Sequence, residues 1–163
     1  MSISEQPHSM PAKGQKAPAF SLKDQAGNKV ALKDYKGKKV ALFFYPEDDT
    51  PTCTAEACNL RDHYALLQSK GIEVIGVSPD NEQKHQHFIG KFTLPFTLLS
   101  DADMKVIHAY GVWGEKNMYG RKYMGLKRTT FLIDEQGRIH DVIGRVLSKI
   151  HTTQILKAWN MQP

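Results

Sequence analysis

Two side chains in this 163-residue chain pair a soft nucleophile with a defined spacing: Cys53 and Cys58, its only cysteines, within "FFYPEDDTPTCTAEACNLRD" at residues 43–62. A thiol attacks as the thiolate, and a place in the first turn of a helix favours that form, because unpaired backbone N–H groups and the helix dipole stabilise negative charge. Pro51 and Thr52 stand directly before Cys53. Proline is tolerated at a helix start and threonine serves as an N-cap, so a helix is expected to open at Thr52 with Cys53 in its first turn.

Each helical residue turns about 100°. Cys53 lies four residues before Ala57 and continues an apolar stripe, whereas Cys58 falls with Asp62 and Ser69 on roughly the opposite side. One thiol is expected to face inward and the other outward. Their Cα atoms in an intact helix stand about 8 to 9 Å apart, from a rise of 1.5 Å per residue and a radius of 2.3 Å. A disulfide usually needs about 4.4 to 6.8 Å, so pairing them requires the first turns to unwind. Ligands on opposite sides do not converge, and no nearby Cys-x-x-Cys or His pair completes a set, so a metal site is not expected. His63 reads as a polar position on the same helix. A spacing of five residues also differs from that of a thioredoxin-type dithiol. A plain core residue stays open as a reading of Cys58.

The elements around this stretch alternate. "AFSLKDQAGNKVAL" reads as two short strands about Gln25–Asn28, and "KVALFFY" as a strand buried on both faces. Helical spacing follows at Ala57, Leu60, Tyr64 and Leu67, stopped by Gly71. Further elements are expected as a strand at 72–78, a helix at 82–91, a strand at 96–99, a short helix at 102–110, strands at 129–133 and 139–144 joined through Gly137, and a helix at 150–159. "GVWGEKNMYGRKYMG" at 111–125 reads as a long loop that either borders a site entrance, docks a partner, or packs its aromatic and Met side chains on the core, and no role is assigned to it. Alternating strands and helices argue for a largely parallel sheet covered on both faces, with functional groups at the carboxyl ends of strands. The loop after Tyr45 is such an end.

A chain of this length supports one domain and buries about 70% of its unfolded surface without a disulfide staple. Residues 1–12, polar and carrying Pro7 and Pro11, read as a mobile arm ahead of a domain at 13–163. Basic residues number 22 against 17 acidic ones, a net charge of +5, with a small cluster at Lys36, Lys38 and Lys39. No basic stripe interleaved with aromatics accompanies it, so a solvated surface is expected and no nucleic-acid partner. The longest apolar runs fall far short of the roughly 18 residues of a membrane span. The N-terminus lacks an apolar segment with a cleavage site, and two cysteines make no secreted framework; a reducing, cytoplasm-like setting is expected.

The pattern Pro46-x-x-x-Thr50-x-x-Cys53 resembles the active-site signature of the peroxiredoxins, thiol peroxidases. Cys58 in "CTAEACNLRD", together with "FTLLSDAD", "GVWGEK" and "TTFLID" in that order, resembles the Q class, the bacterioferritin comigratory proteins. The resemblance covers about residues 14–160. It implies an α/β thioredoxin-like fold, a central mixed β-sheet flanked by helices on both faces with an N-terminal β-hairpin. It implies that Cys53 is the peroxidatic nucleophile, reducing hydrogen peroxide or organic hydroperoxides, and that Cys58 is the resolving thiol, forming an intramolecular disulfide that thioredoxin or a similar dithiol protein reduces. Pro46 would shield the thiolate, Thr50 would hydrogen-bond the peroxide, and Arg128, just before "TTFLID", would stabilise thiolate and developing oxygen charge. Glu56 would hold that arginine, although it also reads as a first-turn acid complementing the helix dipole. No cofactor or metal is implied, and two thiols within one chain favour a monomer. A non-enzymatic redox switch is the rival reading. Thr52 stands where many relatives of the class have glycine, and is expected to stiffen the helix start and slow disulfide formation.

Overall fold

The computed structural model describes residues 9–162. Residues 1–8 of the expected arm lie outside the described residues; among the rest of it, Met10 packs on the core and Pro11 is buried.

The chain opens with a hairpin of β1 (Ser21–Lys23) and β2 (Lys29–Ala31). β3 (Lys39–Phe44), α1 (Pro51–Asp62), α2 (Tyr64–Ser69), β4 (Ile72–Ser78), α3 (Glu82–Phe92) and β5 (Thr97–Ser100) follow. Then come α4 (Lys105–Ala109), β6 (Trp113–Met118), β7 (Arg121–Leu126), β8 (Thr129–Ile133), β9 (Ile139–Ile143) and α5 (His151–Ala158). One seven-stranded sheet runs in the order β2-β1-β5-β4-β3-β8-β9. Its strand pairs β3–β4 and β4–β5 are parallel, while β1–β2, β1–β5, β3–β8 and β8–β9 are antiparallel. The largely parallel sheet expected from alternation is thus corrected to a mixed one. Parallel pairing needs a long crossover, which only the helices between β3 and β5 supply here; β8 and β9 meet through a tight turn whose Gly137 has φ +79°.

β3 lies in the middle of the sheet, and its side chains alternate between two cores, as the pleat requires. Ala41 and Phe43, with Tyr45 just beyond, join Cys53, Ala57, Leu60, Phe88, Ile155 and Trp159 on the face covered by α1, α2, α3 and α5. Val40, Leu42 and Phe44 join Ile107, Tyr110, Phe131 and Leu126 on the face covered by α4. Phe43 pairs across the sheet with Gly76, where a Cβ would lie 2.7 Å from both the Phe43 ring and Leu98. Only a residue without a Cβ leaves the Phe43 ring and Leu98 room against β4.

Two local expectations fail for stated reasons. The single helix expected from residue 53 to its stop at Gly71 is broken at His63 (φ −116°, ψ 13°), whose Nδ1–H donates to the Asn59 carbonyl at 2.8 Å, the acceptor its own backbone N–H would take in a helix. The expected loop at 111–125 is a two-stranded ribbon, β6 against β7, outside the main sheet. Most of its side chains are exposed or half-buried, so the strands lack the alternation that marks one buried face. Among the described residues, no helix is long and apolar enough to cross a membrane.

Candidate active site

α1 begins at the carboxyl end of β3, and its opening differs from the expected one by two residues. Thr50, extended at φ −89°, ψ 157°, is the N-cap, with Pro51 as first helical residue and Thr52 as second. Proline selects this start, since its missing N–H would have no intrahelical partner and its φ suits a helix. Thr50 does not cap with its side chain; its hydroxyl donates to the Glu47 carbonyl at 3.1 Å. Cys53 is then the third residue of α1, still within the turn whose N–H groups lack intrahelical acceptors. It is 1% exposed, whereas Cys58 is half-buried, and both are free thiols in an unbroken helix.

The loop that carries Pro46 to Thr50 is pinned to α3. Three consecutive acids are each met by a base of that helix: Glu47 by Lys84 (2.7 Å), Asp48 by His85 (2.6 Å) and Asp49 by Lys91 (2.9 Å). Asp48 and His85 are buried; Asp48 also accepts from the Tyr45 hydroxyl, and its N–H donates to Asp80 at 2.7 Å. His85 donates Nε2–H to the Leu99 carbonyl at 3.0 Å. Asp48, Asp80 and His85 offer ligand atoms within 4.8 Å of one another, but these atoms are already taken up by one another, by Tyr45, Ser78 and Leu99. The group reads as a clamp. Asp49 sits at φ +63°, a conformation costing a non-glycine residue roughly 1 kcal/mol, which Lys91 helps to hold.

Arg128 enters from the residue before β8. Its Nη2 donates to Cys53 Sγ at 3.1 Å and its Nη1 to Glu56 Oε1 at 2.6 Å. Burial works against the guanidinium charge, but Glu56 and Cys53 outweigh it and hold Arg128 above its ordinary pKa. Glu56 is fully buried and lies one turn beyond the start of α1, so it is not the first-turn acid of the competing reading. Burial pushes its carboxyl from 4.5 up to about 7, against the pull of Arg128. A buried sulfur thus shares one fixed cation with a carboxyl group. Such a cation can stabilise a thiolate and then charge appearing on oxygen bonded to it. Pro46 is half-buried in the loop over this end of the sheet.

Sequence reasoning missed Asp48, His85, Thr130 and His151. The last two stand behind Glu56: His151 Nε2 is 3.5 Å from Glu56 Oε2 and 2.7 Å from the Thr130 hydroxyl. A usable signal was present in each histidine's position. His85 shares the apolar stripe of α3 with Phe88 and Phe92, and His151 that of α5 with Ile155, Leu156 and Trp159. A polar ring at a core-facing position needs a partner inside.

Residues 13–142 match the AhpC/TSA family. The chain is 46% identical over 144 residues to "Peroxiredoxin Bcp" of Bacillus subtilis, covering 88% of this chain and 92% of that one. The crystal structure of a cysteine-to-serine mutant of PrxQ from Xylella fastidiosa superposes with a TM-score of 0.86 at 28% identity, over 93% of this chain and 97% of that one. A Xanthomonas campestris bacterioferritin comigratory protein, whose study concerns alkyl peroxide reduction, gives a TM-score of 0.80 at 30% identity, over 86% and 90% of the two chains.

Proposed function

Because the chain belongs to the AhpC/TSA family, in its Bcp or Q-class branch, and is on that footing a thiol-dependent peroxidase, we propose that Cys53 is the peroxidatic nucleophile and Cys58 the resolving thiol. The Cys53 thiolate attacks the terminal oxygen of a hydroperoxide. The S–O bond forms as the O–O bond breaks, Cys53 becomes a sulfenic acid, and the departing alkoxide or hydroxide leaves as alcohol or water after taking a proton. Cys58 then attacks Sγ of Cys53, water departs, and an S–S bond links the two. A dithiol protein of the thioredoxin kind returns both thiols, and the cycle runs within a monomer in a reducing, cytoplasm-like setting. Thr50 orients the peroxide through its hydroxyl and Pro46 screens the sulfur from water.

The observation that carries this reading is the Arg128 guanidinium, held by Glu56 at 2.6 Å and donating to the Cys53 sulfur at 3.1 Å. It aims a fixed positive charge where negative charge moves from sulfur to the leaving oxygen. The test is peroxide consumption coupled to NADPH through thioredoxin and its reductase. Cys53→Ser loses all turnover, while Cys58→Ser completes one peroxide reduction and stalls as a sulfenic acid, seen as a gain of one oxygen by mass spectrometry. A fully active Cys53→Ser protein would overturn the assignment.

A further inference from the structure

Behind the Cys53–Arg128 pair lies a polar layer that the peroxidase cycle above does not use. Glu56 gives Oε1 to Arg128, but its other oxygen, Oε2, is buried without a hydrogen-bond partner. The nearest polar ring atom is His151 Nε2 at 3.5 Å, and both side chains are fully buried. The tautomer of His151 follows from its other contacts. Nδ1 lies 2.9 Å from Gln154 Oε1, which also accepts the Leu147 N–H, while Gln154 Nε2 donates to the Arg145 carbonyl and so fixes the amide. An amide oxygen only accepts, hence Nδ1 carries the proton. In the neutral ring Nε2 is then a bare acceptor, toward which the Thr130 hydroxyl points at 2.7 Å.

A bare imidazole nitrogen facing an ionised carboxylate oxygen would set lone pair against lone pair in a dry site. A proton on Glu56 Oε2 converts the clash into an O–H donor aimed at nitrogen. Burial favours this placement twice, pushing Glu56 up to about 7 and His151 down to about 4. The charge balance agrees. Among the described residues, the titratable or charged groups facing Glu56 are Cys53 on its own helix, Arg128 at the head of β8 and His151 on α5, with Thr130 as a neutral neighbour. With Cys53 as thiolate, Arg128 balances one negative charge, and a second on Glu56 would be left uncompensated.

We propose that His151 is a positioning residue of the peroxidase site: by accepting at Nε2 from protonated Glu56, it keeps that carboxyl neutral while Cys53 is a thiolate, so that the charge of Arg128 is committed to sulfur. Ionisation of Cys53 and protonation of Glu56 are thereby coupled, with S–H broken and O–H formed while the cluster stays neutral overall. This rests on Cys53 being the nucleophile.

The test is the pH dependence of Cys53 alkylation by iodoacetamide in a Cys58→Ser background, beside hydrogen peroxide reduction in the otherwise unchanged chain. His151→Asn removes the acceptor, so Glu56 ionises earlier and opposes the thiolate; the alkylation midpoint moves up by about one pH unit, a rate loss of about tenfold below it. Thr130→Val removes the hydroxyl competing for Nε2 and moves the midpoint down. This near-isosteric change carries the test even where His151→Asn fails to fold. Shifts of opposite sign support the coupling. Unmoved midpoints in folded variants, or shifts of the same sign in both, overturn it. Peroxide turnover separates the two readings: turnover with unmoved midpoints sinks the coupling alone, and shifted midpoints without turnover sink the peroxidase assignment of Cys53 alone.

Discussion

Asn59→Ala tests where α1 opens to let the thiols pair. The helix is intact from Pro51 to Asp62, so a Cys53–Cys58 bond requires its turns to unwind. At its start the helix is restrained by the clamp between residues 47–49 and α3. At its end the restraints include the Arg61 guanidinium, donating to the Phe92 carbonyl at 2.8 Å, and Asn59, whose Nδ2 donates to the Lys149 carbonyl at 2.9 Å and whose Oδ1 accepts the Thr152 N–H at 2.8 Å. The two Asn59 hydrogen bonds contribute about 2 kcal/mol together. If Cys58 moves toward Cys53 by freeing this end, their loss makes opening easier by the same amount and speeds resolution by about thirtyfold. Single-turnover stopped-flow mixing with hydrogen peroxide separates the second-order oxidation from the first-order resolution. Trp159, 8% exposed and in the same core as Cys53 and Ala57, supplies the fluorescence signal. The oxidation rate should stay the same while resolution accelerates. Global stability reduced by about 2 kcal/mol with an unchanged resolution rate would refute the reasoning, since the helix would then open from its Cys53 end alone.

Further outcomes follow from the same contacts. Arg128→Lys, which loses the two-pronged contact to Cys53 and Glu56, should lower the peroxide rate constant about a hundredfold in a stopped-flow assay while the fold persists. Asp48→Ala, which strands buried His85 and Tyr45, should cost about 3 to 5 kcal/mol in urea unfolding and, by loosening the clamp at the start of α1, lower the share of overoxidised Cys53 by mass spectrometry. Thr52→Gly should change resolution by no more than about twofold, because Thr52 is an exposed second helical residue and not the cap, so only a few tenths of a kcal/mol of helix propensity are at stake. Urea unfolding across pH should distinguish Glu56→Gln from the natural chain. Glu56, raised from 4.5 to about 7, loses stability as pH rises through that window, and His151, lowered from 6.5 to about 4, loses it as pH falls through its own, so between them the two slopes cancel. Glu56→Gln leaves the His151 slope bare, a rise of roughly 1.4 kcal/mol per pH unit from about 4 to 6.5.

Much of the fold could be read from apolar pattern because that pattern is imposed by burial. β3 and β4 are packed on both faces and appear as continuous apolar runs, and α3 and α5 show their stripes. The ribbon of β6 and β7 was not legible for the converse reason. Its strands bury little, so Lys116, Asn117, Lys122 and Tyr123 carry no period, and nothing in the spacing distinguishes them from a loop. The break at His63 was hidden differently: one residue leaves the helix while Tyr64 and Leu67 stay on the stripe set by Ala57 and Leu60, so periodicity passes through it. The start of α1 shows the limit of local capping rules. Thr50 and Thr52 are equal candidates by type, and the proline between them decides, since it takes the first helical position.

The candidate site divides along the same line. Cys53, Thr50 and Pro46 lie within one short motif, and the motif carries their spacing. Arg128 and Glu56 were found through resemblance, and the geometry gives the physical content: 72 positions apart in sequence, they meet because β8 pairs with β3 and so brings the residue just ahead of it to the opening of α1. Asp48 with His85, and Glu56 with Thr130 and His151, are contacts of the same long-range kind without a motif to announce them. Their common property is a polar or ionisable group inside a core, and such a group is retained only with a partner. The two histidines therefore mark where separate elements must be held in register around Cys53: His85 fixes the loop ahead of it, and His151 fixes the acid that fixes its arginine. In the proposed cycle, opening α1 on each turnover works against both sets of contacts, so the features that would prepare Cys53 for peroxide are the ones that disulfide formation would have to overcome.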